Sequence, residues 1–172
     1  MVRRLATDQR GAEIAEAAAV LPLMFLILLG IFWFGQAFSI YGAITRAAQD
    51  GARAGALPYC ATCNQPSDSV AAAVTAVQND LRASKLDPAL AQSPPAQPNL
   101  PSCIDGSAVV CSGSGACVQA PIQLRTTAQG GTGLCGISVS VRYPYRFWLP
   151  FTSISKQTIW LLASARVRME TR

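Results

Sequence analysis

Residues Arg10 to Ala56 read RGAEIAEAAAVLPLMFLILLGIFWFGQAFSIYGAITRAAQDGARAGA, and the placing of charge within them decides the architecture. From Ala17 to Thr45 there is no Asp, Glu, Lys or Arg. The run is mostly Leu, Ile, Phe, Ala and Val, and a bilayer needs roughly 20 such residues. A transmembrane segment at about residues 17–38 is therefore expected. Glu16 stands at its mouth, five residues beyond Gly11. An unpaired carboxylate in hydrocarbon costs a few kcal/mol, so Glu16 is a functional candidate by default.

Helical character should outlast the bilayer. Phe38, Ile40, Tyr41, Ile44, Ala47, Ala48, Gly51, Ala52 and Gly55 recur at steps of three and four, with polar residues mainly between them. The distal part of this stripe is small (Ala47, Gly51 and Gly55 are four apart), so another backbone can approach it closely. A helix from Ile14 to Ala56 would be about 65 Å long at ~1.5 Å per residue, twice what a membrane requires. Pro58 ends it. Pro22 removes an N–H and crowds the carbonyl of Ala18, so the helix is expected to kink or loosen there. Upstream, residues 1–11 form a basic leader with Arg3, Arg4 and Arg10 against Asp8. The positive-inside bias then puts the N-terminus in the cytoplasm and residues 57–172 outside it.

Beyond the helix, Ser67–Asp87 reads as a second helix with Val70, Val74, Val77 and Leu81 on one face. QSPPAQPNLP, residues 92–101, reads as a linker. The last third alternates. Val118, Ala120, Ile122 and Leu124 should share a strand face; Ile137, Val139, Val141 and Tyr143 should share the next. Ile159 to Met169 forms a third strand. The expected fold is α+β: a long N-terminal transmembrane and amphipathic helix, then a small antiparallel sheet with disulfides, one apolar face of which buries the small-residue stripe.

All six cysteines, Cys60, Cys63, Cys103, Cys111, Cys117 and Cys135, follow the apolar run. An even count on one side of a membrane segment reads as a disulfide set in an oxidising compartment, and six allow 15 pairings between which the sequence does not choose. Cys60-Ala61-Thr62-Cys63 has redox-motif spacing, but it follows Pro58 in a loop, without the helix start that lowers a thiolate pKa. A membrane-tethered thiol oxidoreductase is thus the weaker reading.

Composition narrows the function. Hydrophobic residues make up 51% against 13% charged, which suits a membrane protein. The chain has no histidine, which removes Ser-His-Asp and Cys-His catalysis and the imidazole ligands of most zinc enzymes. The net charge of +5 is spread thinly, without the Lys/Arg run of a nucleic-acid patch. No enzyme activity, metal, cofactor, nucleic acid or small-molecule substrate is expected. The Gly130-Gly131-Thr132-Gly133 turn lacks the Lys-Ser/Thr ending of a phosphate loop. Tyr143, Tyr145, Phe147, Trp148 and Phe151 could form an interfacial belt, although packing inside the small domain is the simpler expectation.

Taken in order, Arg10-Gly11, Glu16, Leu21-Pro22-Leu23, Phe34-Gly35, Ala47-Ala48 and Gly51-Ala52-Arg53 resemble the TadE-like family, minor pilins (pseudopilins) of the bacterial tight-adherence pilus system. VSVRYPYRFWLPF and LASARVRME near the C-terminus are also similar to it, whereas the cysteine-rich middle has no counterpart. The resemblance implies cleavage after Gly11 by a prepilin peptidase, leaving Ala12 as the new N-terminus and Glu16 as its fifth residue. It also implies a single-pass protein of the bacterial inner membrane. Its partners would be the lipid bilayer, the peptidase and other pilins, and Glu16 of one subunit would meet the terminal amine of another to set their register. Two other readings stay open. Residues 1–37 could be a secretory signal peptide ending near Gly35-Gln36-Ala37, or the chain could be a signal-anchored or secreted envelope adhesin or receptor without filament partners.

Overall fold

A computed structural model of the chain describes residues 9–56, 67–95, 100–103, 111, 113–125, 134–146 and 158–169. The chain divides into two units, Met1–Phe38 and Ser39–Arg172. One helix, α1 (Gln9–Ala56), contributes to both. It starts five residues earlier than the apolar periodicity suggests, so Gly11 and Ala12 belong to its first turn. It also runs through Pro22 without a break in helical assignment. The proline forfeits one hydrogen bond, which a membrane-type helix tolerates.

In the first unit, the large apolar side chains from Ile14 to Phe38 are mostly 51–71% exposed, with Trp33 the exception at 9%. None of the described residues covers them, which is the burial expected of a helix whose solvent is lipid.

In the second unit the picture inverts. Ile44, Ala47, Ala48, Ala52 and Ala56 of α1 are buried together with Ala73, Val77 and Leu81 of α2 (Ser67–Ala83). Gly51 and Gly55 are the closest points. A β-carbon on Gly51 would lie 2.5 Å from Val77 Cγ2 and 3.1 Å from the Ala73 carbonyl oxygen; one on Gly55 would lie 2.6 Å from Ile137 Cδ1 and 3.0 Å from the Ser69 carbonyl oxygen. The small-residue stripe is thus an internal seat for the second helix and the sheet.

The second helix stops earlier than Asp87. Leu86 N–H reaches the Leu81 carbonyl and Lys85 N–H reaches that of Arg82, with Lys85 at φ 58°. This is a Schellman cap, and the contact between Leu86 and Leu81 closes it. Asp87 then accepts from Ala89 N–H at 2.9 Å and starts a single 3-10 turn, Pro88–Leu90.

The sheet has the order β1-β2-β3, all antiparallel, with β1 at Cys117–Arg125, β2 at Leu134–Arg146 and β3 at Thr158–Arg168. Val118, Ile137, Val139, Val141, Tyr143 and Ala163 are buried in the same cluster as the helices. Tyr143 and Tyr145 pack inside, each 5% exposed. The other aromatics of that segment, Phe147, Trp148 and Phe151, lie outside the described residues.

One expectation about the sheet needs correction. Val118, Ala120, Ile122 and Leu124 do not share one face. Val118 pairs with Val139, but Ile122 pairs with Gly136, because the register shifts between Gln119 and Ile122. Pro121 sits within that shift and cannot donate to a ladder, which confines it to a bulge or an edge. One extra residue moves the side chains that follow to the opposite face, until a second shift between Gln123 and Arg125. The sheet also has two covered faces at its centre. Ile122, Cys117, Gln119, Ser138 and Ser140 are buried on the side away from Val139.

The Pro-rich linker is less irregular than its composition suggests. Gln92 bridges Arg142 on β2 just past the end of β1, and Ser102 bridges Ile122 on the outer edge of β1. Those two contacts extend the ladder on either side of β1. Two disulfides secure the same region: Cys103–Cys135 with Cα atoms 5.6 Å apart, and Cys111–Cys117 at 4.9 Å. Both spacings suit an ordinary bridge. The first closes a separation of 32 residues, which in the chain-entropy account is on the order of 3–4 kcal/mol of stabilisation. Cys60 and Cys63 lie outside the described residues.

Candidate functional site

The candidate site is the start of α1. Gly11 and Ala12 stand in its first turn, where the first four backbone N–H groups lack intrahelical acceptors. Glu16 follows Ala12 by four residues, so both lie on one face of the helix, a turn apart. The Glu16 side chain is exposed, and the next residues in the chain, Ala17 to Val20, are exposed as well. This makes Glu16, three residues beyond Glu13, the last acid before a bare apolar rod. A carboxylate near a helix N-terminus is favoured by a few tenths to ~1 kcal/mol. That does not offset the cost of carrying it into hydrocarbon. A cation brought by another molecule would.

Of the residues singled out in the sequence, Gly11, Ala12, Glu16 and Pro22 share α1, and Cys103, Cys111, Cys117 and Cys135 form the two bridges of the second unit. These four residues of α1 belong to the first unit and the two disulfides to the second. Among the described residues no group of His, Cys, Asp and Glu has the make-up of a metal site.

Sequence reasoning missed an acid pair at the α1–α2 contact. Burial, and after it the Asp50 carboxyl beside it, push Asp80 above the usual carboxylate range. Asp50 is also 3.5 Å from Arg53 Nη1, an exposed contact of little energetic weight. The periodicity of α2 carried no warning, since Asp80 meets Asp50 of α1 only in three dimensions. A group whose pKa rises on folding favours the folded state below its unfolded pKa, and this contribution is lost as pH rises through the folded value. Asp80→Asn is therefore expected to raise the melting temperature at neutral pH and to change it little below about pH 3, under the unfolded pKa of an aspartate. Melts of both proteins in detergent at the two pH values check this; a destabilised variant at neutral pH would contradict it. Burial likewise raises the phenols of Tyr143 and Tyr145. The Tyr143 hydroxyl oxygen accepts from Asp87 N–H at 3.2 Å.

A family model described as TadE-like protein matches residues 11–53, wholly within α1. The matched residues take in Gly11, Ala12, Glu16, Pro22 and the small-residue stripe through Arg53, so the TadE-like resemblance holds over this segment. It supports a protein associated with the tight-adherence pilus. The C-terminal stretches, residues 139–151 and 162–170, lie outside the match. No curated protein and no solved structure matches the chain. By length and composition, α1 holds one candidate membrane span near the N-terminus, within Ile14–Ala56.

Proposed function

We propose that the chain is a minor pilin of a tight-adherence pilus or a related secretion filament, with a structural rather than a catalytic role. The observation that carries this is Glu16, exposed at the base of an uncharged helix whose apolar side chains the protein itself leaves uncovered. The TadE-like match over the same residues supports it. In this reading the N-terminus is cytoplasmic and the second unit lies across the inner membrane, as the basic leader favours.

A prepilin peptidase cuts between Gly11 and Ala12. The bond lies in the first helical turn, which frays at little cost, and glycine offers no side chain to obstruct the active site. Cleavage frees the amine of Ala12. In a staggered stack of subunits, that amine meets Glu16 of a neighbour, and each neutralises the other in low dielectric.

The test is the N-terminus and intact mass of the protein from its native membrane. A start at Ala12 is expected, and Gly11→Leu should retain the full leader. A start near Phe38 would mark residues 1–37 as an ordinary signal peptide and end the proposal. An unchanged mature mass in Gly11→Leu would refute peptidase processing at this bond.

A further inference from the structure

The sheet carries charge of one sign. From Gly106 to Met169 the sequence has no Asp or Glu, but it has Arg125, Arg142, Arg146, Lys156, Arg166 and Arg168. Strand pairing gathers several of these on one surface. Arg142 lies opposite Leu162, Pro144 opposite Trp160 and Arg146 opposite Thr158, and directly paired residues share a face. Along β3 the same face continues through Ser164, Arg166 and Arg168, whereas their β2 partners Ser140 and Ser138 are buried, so the exposed part of the face is β3 with the Arg142–Arg146 end of β2.

This face combines cations with exposed apolar groups. Trp160 is 41% exposed and Leu162 52%, and both belong to an edge strand of the sheet. The Arg142 guanidinium sits 4.3 Å from the centroid of the Trp160 ring while its Nη2 donates to Gln92 Oε1 at 2.9 Å. Arg142 is thereby held flat against the indole. Arg146, Arg166 and Arg168 are exposed.

We propose that the exposed part of this face, β3 with the Arg142–Arg146 end of β2, docks on anionic phospholipid headgroups. Arginine forks match phosphate oxygens, and an amphipathic indole settles at the level where headgroups meet acyl chains, with Leu162 beside it. A second copy of the chain does not fit. A symmetric contact through this face would set arginines against arginines, with no acid among its described residues to separate them. Nucleic acid would use the cations but gain nothing from an exposed aliphatic leucine. The inference rests on residues 14–38 being the bilayer anchor, which keeps the sheet at high local concentration beside lipid.

The test uses the full chain, reconstituted into vesicles of phosphatidylcholine alone or with phosphatidylglycerol, the lipids carrying brominated acyl chains. Trp160 quenching is read as the difference between the wild type and Trp160→Phe. It is expected to be severalfold larger with phosphatidylglycerol, to fall in high salt, and to fall in Arg146→Ser/Arg168→Ser. Hydrogen exchange on the unaltered chain gives a second reading, with amides of Thr158–Arg168 slowed by the anionic lipid. Equal Trp160 quenching and equal exchange in both vesicle types, with the chain floating alongside each, would overturn the docking surface and leave the anchor standing. A chain that floats with neither would overturn the anchor reading and this proposal with it. Slowing of these amides by duplex DNA but not by phosphatidylglycerol would assign the face to nucleic acid and overturn the lipid assignment.

Discussion

Cells carrying Glu16→Ala are expected to hold the protein in the membrane at normal levels and to build no pili. The two outcomes separate because the carboxylate opposes one step and drives the other. Removing it takes a charge of a few kcal/mol cost out of the apolar segment, so insertion becomes easier. In the proposed filament the same deletion would leave the Ala12 amine of a neighbour without its counter-charge. Breaking one side of a desolvated ion pair costs about 3–5 kcal/mol, or roughly two to three and a half powers of ten in each subunit contact. A polymer repeats that loss at every joint where this subunit takes part. Glu16→Gln, which keeps shape and loses charge, should fail in the same way. Normal piliation of either mutant by electron microscopy, with membrane levels checked by immunoblot, would remove Glu16 from the mechanism.

Leucine at Gly55 or Gly51 is expected to unseat the second unit, whereas leucine at Gly42 is not. All three glycines lie in α1, so each gains similarly in helix propensity. Their surroundings differ. A β-carbon at Gly42 meets nothing within 4 Å. At Gly55 it meets the Ser69 carbonyl oxygen at 3.0 Å and Ala73 Cβ at 3.1 Å, and at Gly51 the Ala73 carbonyl oxygen at 3.1 Å. Backbone atoms of a capped helix cannot swing aside as a side-chain terminus can, so α2 must shift as a body and break its contact with the sheet. Overpacking of this kind costs about 1–3 kcal/mol, occasionally more, and leucine belongs at the upper end. For a unit of this size the melting temperature should fall by roughly 10 °C. Detergent-solubilised protein followed by near-ultraviolet circular dichroism checks it. A Gly55→Leu melt matching that of Gly42→Leu would show that the stripe is not the seat of α2.

These two experiments act on one helix at sites of opposite character. At Glu16 the surface is left for other molecules; at Gly51 and Gly55 it is already filled. A small-residue stripe in a membrane-type helix invites the reading of subunit contact. Here it is spent within the chain. Intersubunit contact is therefore proposed for the apolar half of α1, not the glycine half.

Much of this was readable along the chain. The uncharged run, the acid at its mouth, the stripe of small residues and the three alternating strands are local periodicities, set by side chains a few positions apart. They lead to a bare helix joined to an α+β domain without knowledge of any long-range contact. Tertiary structure decided what depends on residues far apart in sequence. The partner of the glycine stripe, the pairing of Cys103 with Cys135 and of Cys111 with Cys117, and the acid beside Asp80 are all of this kind. The bulge at Pro121 shows why. A strand's alternation states which residues are apolar, but its face is fixed by hydrogen bonds to another strand, and one inserted residue reverses it.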